Sequence, residues 1–209
     1  GKEMHDDLEN WLVRSKEPTH RRLLPALDYF PSHGTGVELE SLDSADTSQL
    51  PAVVVETWLT TDLGFVKFKG RADVIDMRNS RLPAILDLKT SGNLRYAKTA
   101  KDLLTDVQMV SYAYVLMQHL DALESVDVAH IYASTRGATE AFRVGANITR
   151  TSATAFWNDL IIPTAREMVL AYEEELATAV DPCKAACSAY GGCPHKTLCP
   201  DVWPGFVDW

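Results

Sequence analysis

Residues 65–90 read FVKFKGRADVIDMRNSRLPAILDLKT, and this stretch decides the fold. Its β-branched and aromatic residues predict two strands, Phe65–Met77 and Ala84–Thr90, that bracket a polar connection. A similar run, Val53–Thr61, predicts a third strand just before them, and the turn Asp62-Leu63-Gly64 separates it from the second. We therefore expect three consecutive strands that belong to a sheet.

Helical and further strand patterns flank these strands. Apolar residues at helical spacing predict an amphipathic helix over Gly1–Arg14. After a loop-like stretch at 31–51 and the three strands, the remaining predicted elements are a helix from about Lys101 to His119, strands Val126–Ser134 and Glu140–Ile148, and a helix capped by Ser152 that restarts near Pro163 and ends near Ala179. This order predicts an α/β protein with a mixed central sheet flanked by helices over 1–180, and a cysteine-rich tail over 181–209.

The composition limits the classes of function. A net charge of −9 argues against a generally basic surface for nucleic acid, so any DNA contact must rest on a local basic strip. No apolar run approaches the ~20 residues that span a bilayer, so we expect no membrane partner. Four cysteines crowded into one short tail favour a metal or cluster site in a reducing compartment, and hence a cytoplasmic location.

An acidic pair and a lysine lie where the second and third strands are polar. Asp87 and Lys89 share one face of their strand, and Asp73 can join them if the two strands are neighbours. Converging carboxylates hold Mg²⁺ or Mn²⁺, and a nearby ammonium can stabilise charge on a phosphate. The alternative is a solvated strand end, but the apolar residues around Asp87 place it close to the buried part of the strand.

The order of these motifs resembles that of a known family. Gly70-x-x-Asp73, Asp87-x-Lys89-Thr90 and Gln108-x-x-x-Tyr112, together with an N-terminal Gly1 and His5, are similar to the signature of RecB-like nucleases in the PD-(D/E)XK superfamily. That group includes the nuclease domains of AddAB-type helicase–nucleases and CRISPR-associated exonucleases. The resemblance implies a restriction-endonuclease-like core and a Mg²⁺- or Mn²⁺-dependent deoxyribonuclease, an exonuclease acting on single-stranded DNA ends. It does not identify a helicase or recombination partner.

The resemblance also implies roles for individual residues. The catalytic set would be Asp73, Asp87, Lys89, Gln108 and Tyr112, and the metal ligands would be His5, Asp73, Asp87 and the carbonyl of Leu88. An i, i+4 pair shares a helix face, so Gln108 and Tyr112 can reach one site, although packing would explain them equally well. A lone histidine such as His5 is more often a surface or core-edge residue.

The cysteines follow the pattern Cys183-x3-Cys187-x5-Cys193-x5-Cys199. Four thiolates suit either Zn²⁺ or an iron–sulfur cluster, and His195 is a possible substitute ligand that would favour zinc. Several RecB-like nucleases carry a [4Fe–4S] cluster with one cysteine before the core and three after it, and this sequence departs from that arrangement. The resemblance nevertheless favours [4Fe–4S] over zinc.

Basic and aromatic side chains are candidates for DNA contact. The predicted DNA-binding residues are Lys67, Lys69, Arg71, Arg95 and Lys98. A solvated sheet face is the alternative. Tyr96 and Trp157 can stack on unpaired bases, although a core position explains Trp157 equally well. Two other functions remain open: a catalytically inactive DNA-binding or scaffold protein that keeps the fold, and a zinc-tail interaction module.

Overall fold

A computed structural model describes residues 1–44, 46 and 49–173. Contacts divide the chain into two units, Gly1–Ile162 and Pro163–Trp209. The first unit contains a six-stranded sheet whose strands follow one another in chain order. They are β1 (Val37–Glu38), β2 (Val53–Asp62), β3 (Lys67–Asp76), β4 (Ala84–Ser91), β5 (Ser125–Ser134) and β6 (Ala141–Thr149).

The sheet is mixed, as the sequence predicts. β1–β2 and β4–β5 are parallel, and the other three neighbouring pairs are antiparallel. A parallel pair needs a crossover connection. The segment that links β4 to β5 contains two helices, the longer of which is Val107–His119. The helices are α1 (Lys2–Arg14), α2 (Leu24–Leu27), α3 (Ala100–Leu103), α4 (Val107–His119), α5 (Arg150–Phe156) and α6 (Ile162–Glu173).

Each face of the sheet has its own apolar core. On one face α1 buries Met4, Leu8 and Leu12 in a cluster with Val55 and Leu88. On the other face α4 and α5 pack against the sheet in a larger cluster. Because alternate residues of a strand point to opposite faces, every long strand contributes to both clusters, and the two helices α1 and α4 face the strand β4 from opposite sides.

Three local features differ from the sequence predictions. The predicted helix 101–119 is two helices, because Asp106 caps α4 by accepting a hydrogen bond from the backbone of Met109. Thr149 rather than Ser152 caps α5, since β6 runs up to Thr149 and its hydroxyl accepts the Ser152 N–H. A π-helical turn at 157–161 separates α5 from α6, which places the interruption before Pro163.

The second unit is described only at 163–173, within α6. The predicted helix end near Ala179, the boundary near residue 180 and the cysteine tail lie outside the described residues. Along the part of the chain that the structure describes, no helix is both long and apolar enough to cross a membrane.

Candidate active site

The candidate site lies where two neighbouring strands separate. β3 and β4 pair at only three positions, ending with Val74 opposite Leu86, whereas β4 and β5 pair at eight. Beyond Val74 the two strands diverge and leave a gap, which we call the fork. Oδ2 of Asp73 reaches across the fork and accepts a hydrogen bond from the backbone N–H of Leu88 at 2.8 Å. At the fork, the side chain of Asp73 therefore accepts a hydrogen bond that a strand backbone would accept in a regular ladder.

Asp87, Lys89 and Gln108 form a bonded cluster on the α4 side of the fork. Gln108 Nε2 donates to Asp87 Oδ1 at 2.7 Å, and Lys89 Nζ donates to Gln108 Oε1 at 2.9 Å. Lys89 Nζ also lies 2.7 Å from Asp87 Oδ2. The amide of Gln108 thus bonds the acid with its nitrogen and the ammonium with its oxygen, so it fixes both groups of the Asp-x-Lys motif.

Tyr112 extends this cluster to β3. Its hydroxyl donates to the carbonyl of Arg71 at 2.8 Å and accepts a weaker bond from Gln108 Nε2 at 3.5 Å. The ring lies directly on Gly70, where an added β-carbon would overlap Cε1 of the tyrosine. Gly70 is therefore needed for close approach of the ring, and the predicted Gln-x-x-x-Tyr element does face the Asp-x-Lys strand.

His5 lies on the α1 side of the fork. Its Nε2 is 2.9 Å from the carbonyl oxygen of Leu88 and 3.4 Å from Oδ2 of Asp73, and its Nδ1 is 3.1 Å from the carbonyl of Gly1. Both ring nitrogens face oxygen atoms, and both can donate only when the imidazole is charged. The hydrogen bond to Asp73 accordingly raises the pKa of His5 to about 9.

Two carboxyl groups, those of Asp73 and Asp87, make the site unfavourable for the free energy of folding. Burial, followed by the charge of Asp73, raises the pKa of Asp87 to about 6, while Lys89 and Gln108 act in the opposite direction. Oδ2 of Asp87 is buried and lacks a partner in hydrogen-bond geometry, despite its ion pair with Lys89. A buried anion that is incompletely paired is costly, and a nearby cation would relieve this cost.

The donor chemistry of the fork fits a hard divalent cation. His5, Asp73 and the Leu88 carbonyl bring one nitrogen and two oxygen donors together, and Asp87 adds a buried oxygen. Oxygen-rich sets suit Mg²⁺, and an imidazole suits transition metals, so Mn²⁺ accommodates both. In the described part of the chain, no group of three or more His, Cys, Asp or Glu side chains has the arrangement of a metal site as it stands. The predicted ligands instead bond to one another and to neighbouring groups.

The predicted DNA-binding residues differ in their location and in their contacts with other residues. Lys69 and Arg71 flank Trp58 on the β2–β3 hairpin, with Lys69 Nζ 4.0 Å from the ring centre. Lys67 lies at the start of the same strand, β3, opposite Asp62. Arg95 is exposed on a 3₁₀ turn after β4. Lys98 forms an ion pair with Asp106 at the start of α4, so it is engaged within the protein.

The two aromatic candidates for base stacking differ completely. Tyr96 is 83% exposed, whereas Trp157 is 1% exposed. Trp157 stacks on Tyr114 at 4.2 Å between ring centres and meets Phe68 edge-on at 5.2 Å. Trp157 is therefore a core residue, and its suggested role in stacking on DNA bases is wrong.

Two polar residues near the fork were missed by the sequence reasoning. Glu56 lies within β2 and pairs with Arg71 at 3.0 Å. His130 lies on β5 beside Asp87, is 1% exposed, and contacts the Tyr132 hydroxyl at 3.2 Å through Nδ1. A lone charged or polar residue inside an apolar strand was the available signal in both cases, since such a residue needs a partner.

Comparison with known proteins identifies the family of the chain. A sequence profile described as the PD-(D/E)XK nuclease superfamily matches residues 2–200. No curated protein sequence matches the chain. A solved structure described as the crystal structure of SSO0001 is similar at 18% identity and a TM-score of 0.40; the match covers 72% of this chain and spans 60% of the length of that one. Because the profile spans most of its sequence, the chain belongs to the PD-(D/E)XK nuclease superfamily.

Proposed function

We propose that the protein is a Mg²⁺- or Mn²⁺-dependent deoxyribonuclease of the RecB-like type, an exonuclease that hydrolyses single-stranded DNA from its ends. The observation that carries the proposal is the cluster of Asp87, Lys89 and Gln108 at the fork, in which each polar group bonds the next at 2.7 to 2.9 Å. A lysine held beside a buried carboxylate is the arrangement expected for hydrolysis of a phosphodiester, and not for packing alone.

Four groups would hold the cation: the imidazole of His5, the carboxylates of Asp73 and Asp87, and the carbonyl of Leu88. When bound, the cation supplies Lewis acidity that lowers the pKa of a water molecule and neutralises charge on the phosphate. His5 must first give up the proton that it donates to Leu88, because an imidazole nitrogen binds a metal only when it is unprotonated.

Lys89 orients the attacking water and stabilises negative charge on the phosphate through Nζ. Gln108 holds Lys89 and Asp87 at a fixed separation, because its amide bonds to both. Tyr112 fixes Gln108 relative to β3 through its bond to the Arg71 carbonyl. Catalysis in this proposal depends on positioning, and small displacements of these groups would be costly.

The substrate part of the proposal rests on the family resemblance and on surface charge. Lys67, Lys69, Arg71 and Arg95 would contact phosphates, Lys98 would do so by exchanging its ion pair with Asp106 for one with DNA, and the exposed Tyr96 would stack on an unpaired base. Contacts of this kind bind DNA without reading its sequence, so we expect cleavage with little sequence preference.

Cleavage of end-labelled oligonucleotides tests the proposal. Linear single-stranded, linear double-stranded and circular single-stranded DNA would be incubated with the protein, with Mn²⁺ or with EDTA. The expected result is cation-dependent release of short products from linear single strands, with the circle left intact. Cutting of the circle would show an endonuclease instead. Absence of cleavage by the wild type under every condition would favour the inactive DNA-binding or scaffold protein.

For the tail, we propose that Cys183, Cys187, Cys193 and Cys199 bind a [4Fe–4S] cluster that stabilises residues 181–209 as a separate segment after a nuclease core of 1–180. Four thiolates are the donors that such clusters take, and their crowding fits a cytoplasmic protein. Anaerobically purified protein should be brown, with absorbance in the visible range, and should contain about four iron atoms per chain. A colourless protein that contains zinc would overturn the cluster and support a zinc tail.

A further inference from the structure

Glu56 has a backbone conformation that is unusual for its place in the fold. Its φ is 53°, in the left-handed region, although it lies inside the strand β2. Among the described residues, Ser15 is the other non-glycine residue with a positive φ, and it ends α1, where helices often adopt this conformation. A non-glycine residue in this region costs roughly 1 kcal/mol or more, and such strain is concentrated at functional sites.

The strained residue interrupts the regular alternation of β2. Val55 packs in the α1 cluster, whereas Leu59, which a regular strand would place on the same face, packs in the α4 cluster. The pairing with β3 passes from Val55 opposite Val74 to Thr57 opposite Ala72, so Glu56 faces Asp73 across the hairpin without a ladder pair. The interruption therefore places a third carboxyl group, in addition to those of Asp73 and Asp87, beside the fork.

Glu56 holds the guanidinium of Arg71 in two ways. Arg71 Nε donates to the backbone carbonyl of Glu56 at 3.1 Å and lies 3.0 Å from its carboxylate Oε2. The Glu56 side chain is 16% exposed and that of Arg71 is 50% exposed, so the buried acid anchors the more exposed base. Both contacts use Nε and leave the terminal Nη groups of Arg71 to meet a ligand.

Both residues line an open pocket of about 290 Å³ that also contains His5 and Asp73. A carboxylate in this position repels DNA, and burial, followed by the charge of Asp73, raises the pKa of Glu56. The residue thus carries a backbone cost, a desolvation cost and an electrostatic cost. The benefit visible in the structure is a fixed guanidinium at the entrance of the fork.

We propose that Glu56 is a positioning residue that holds Arg71 over the fork. The guanidinium then binds the DNA phosphate adjacent to the phosphate that would lie at the cation site of Asp73. This inference rests on the proposed nuclease function and adds a contact that determines where the strand enters. A guanidinium is suited to phosphate because it presents several donors in one plane, and a preformed orientation lowers the entropy lost on binding.

The test replaces Glu56 by glycine, since Glu56→Gly removes the strain and the carboxylate contact with Arg71 and keeps only the backbone carbonyl contact. We expect an unfolding temperature that is unchanged or higher, a KM for single-stranded DNA raised about tenfold, and a kcat within about twofold of the wild type. Ser15→Gly is the matched control: it relieves the same conformation at the end of α1 and should leave KM unchanged. Arg71→Ala should raise KM similarly, and Glu56→Gly should not raise KM further in the Arg71→Ala background.

DNA binding measured by fluorescence anisotropy separates the possible failures. Removing the Arg71 contact should lower the slope of log Kd against log salt by about 0.7, the value for one phosphate on a single strand. If the wild type binds and cleaves DNA but Glu56→Gly has the same KM, or if the two variants have additive effects, this inference alone is wrong. If the wild type neither binds nor cleaves DNA, the proposed function fails and the inference fails with it.

Discussion

The two sides of β4 at the fork are built differently. On the α4 side, Asp87, Lys89 and Gln108 bond to one another at 2.7 to 2.9 Å, and the Asp87 side chain is 4% exposed. On the α1 side, His5 is 31% exposed and lies 3.4 Å from Asp73, in the first turn of α1. The first group is buried and held by hydrogen bonds among its own members, while the second is more exposed and would exchange its hydrogen bonds for a cation. We infer that Lys89 and Gln108, on the α4 side, govern the rate of cleavage, whereas His5, on the α1 side, governs the affinity for the cation.

Gln108→Ala tests the α4 side and should have the largest effect on cleavage. It removes the amide that bonds Asp87 and Lys89, so both side chains lose their fixed separation. We expect kcat to fall about 100-fold, with the Mn²⁺ concentration for half-maximal activity changed little. Gln118→Ala, at an exposed position of the same helix, is the control. Equal effects of the two substitutions on kcat would show that the cluster has no catalytic role.

His5→Ala tests the α1 side. Loss of one ligand should raise the Mn²⁺ concentration for half-maximal activity about tenfold, and excess Mn²⁺ should restore most of the rate. Titration of cleavage rate with Mn²⁺ measures both quantities. His33→Ala, in an exposed loop, should leave the titration unchanged. A fall in the maximal rate that excess Mn²⁺ does not restore would contradict the division between the two sides.

Gly70→Ala tests whether Tyr112 requires close contact with β3. The added methyl group meets the Tyr112 ring, so the ring or the strand must shift. We expect a loss of about 1–3 kcal/mol in the free energy of unfolding and a cleavage rate reduced severalfold. Chemical denaturation provides the first value. At Gly92 the nearest atom to an added β-carbon is 3.4 Å away, so Gly92→Ala should be close to neutral.

His130 should affect stability but leave cleavage at neutral pH nearly unchanged. Burial, followed by the charge of Lys89, lowers the pKa of His130 from 6.5 to about 4. Since the unfolded chain binds a proton that the folded chain does not, stability falls as the pH drops from 6.5 towards 4, with a slope of up to about 1.4 kcal/mol per pH unit. Denaturation without divalent cation should show a weaker acid dependence for His130→Gln than for the wild type. The same dependence in both proteins would show that His130 is not the group responsible.

The sequence was sufficient for the features that depend on local periodicity. Alternation and β-branched content located the long strands, and the four-residue spacing of Gln108 and Tyr112 placed them on one helix face towards Asp87 and Lys89. These patterns are set by neighbouring residues and require no knowledge of the packing.

Features that depend on tertiary context were not predictable. Thr149 and Ser152 are both suitable caps by residue type, with Ser the slightly better one, and the length of β6 selects Thr149. Trp157 has partners on α4 and β3, so its burial appears only when the sheet and helices are assembled. Glu56 adopts its left-handed conformation against its own preference, which no local pattern encodes.

The rate of single-turnover cleavage by Lys89→Ala tests the central claim most directly. With single-stranded DNA and Mn²⁺ both saturating, we predict a rate at least about 100-fold below that of the wild type, with DNA affinity nearly unchanged. Lys16→Ala, at an exposed position just after α1, should cleave at the wild-type rate. A Lys89→Ala protein that cleaves DNA as fast as the wild type would contradict the assignment of the active site to the fork.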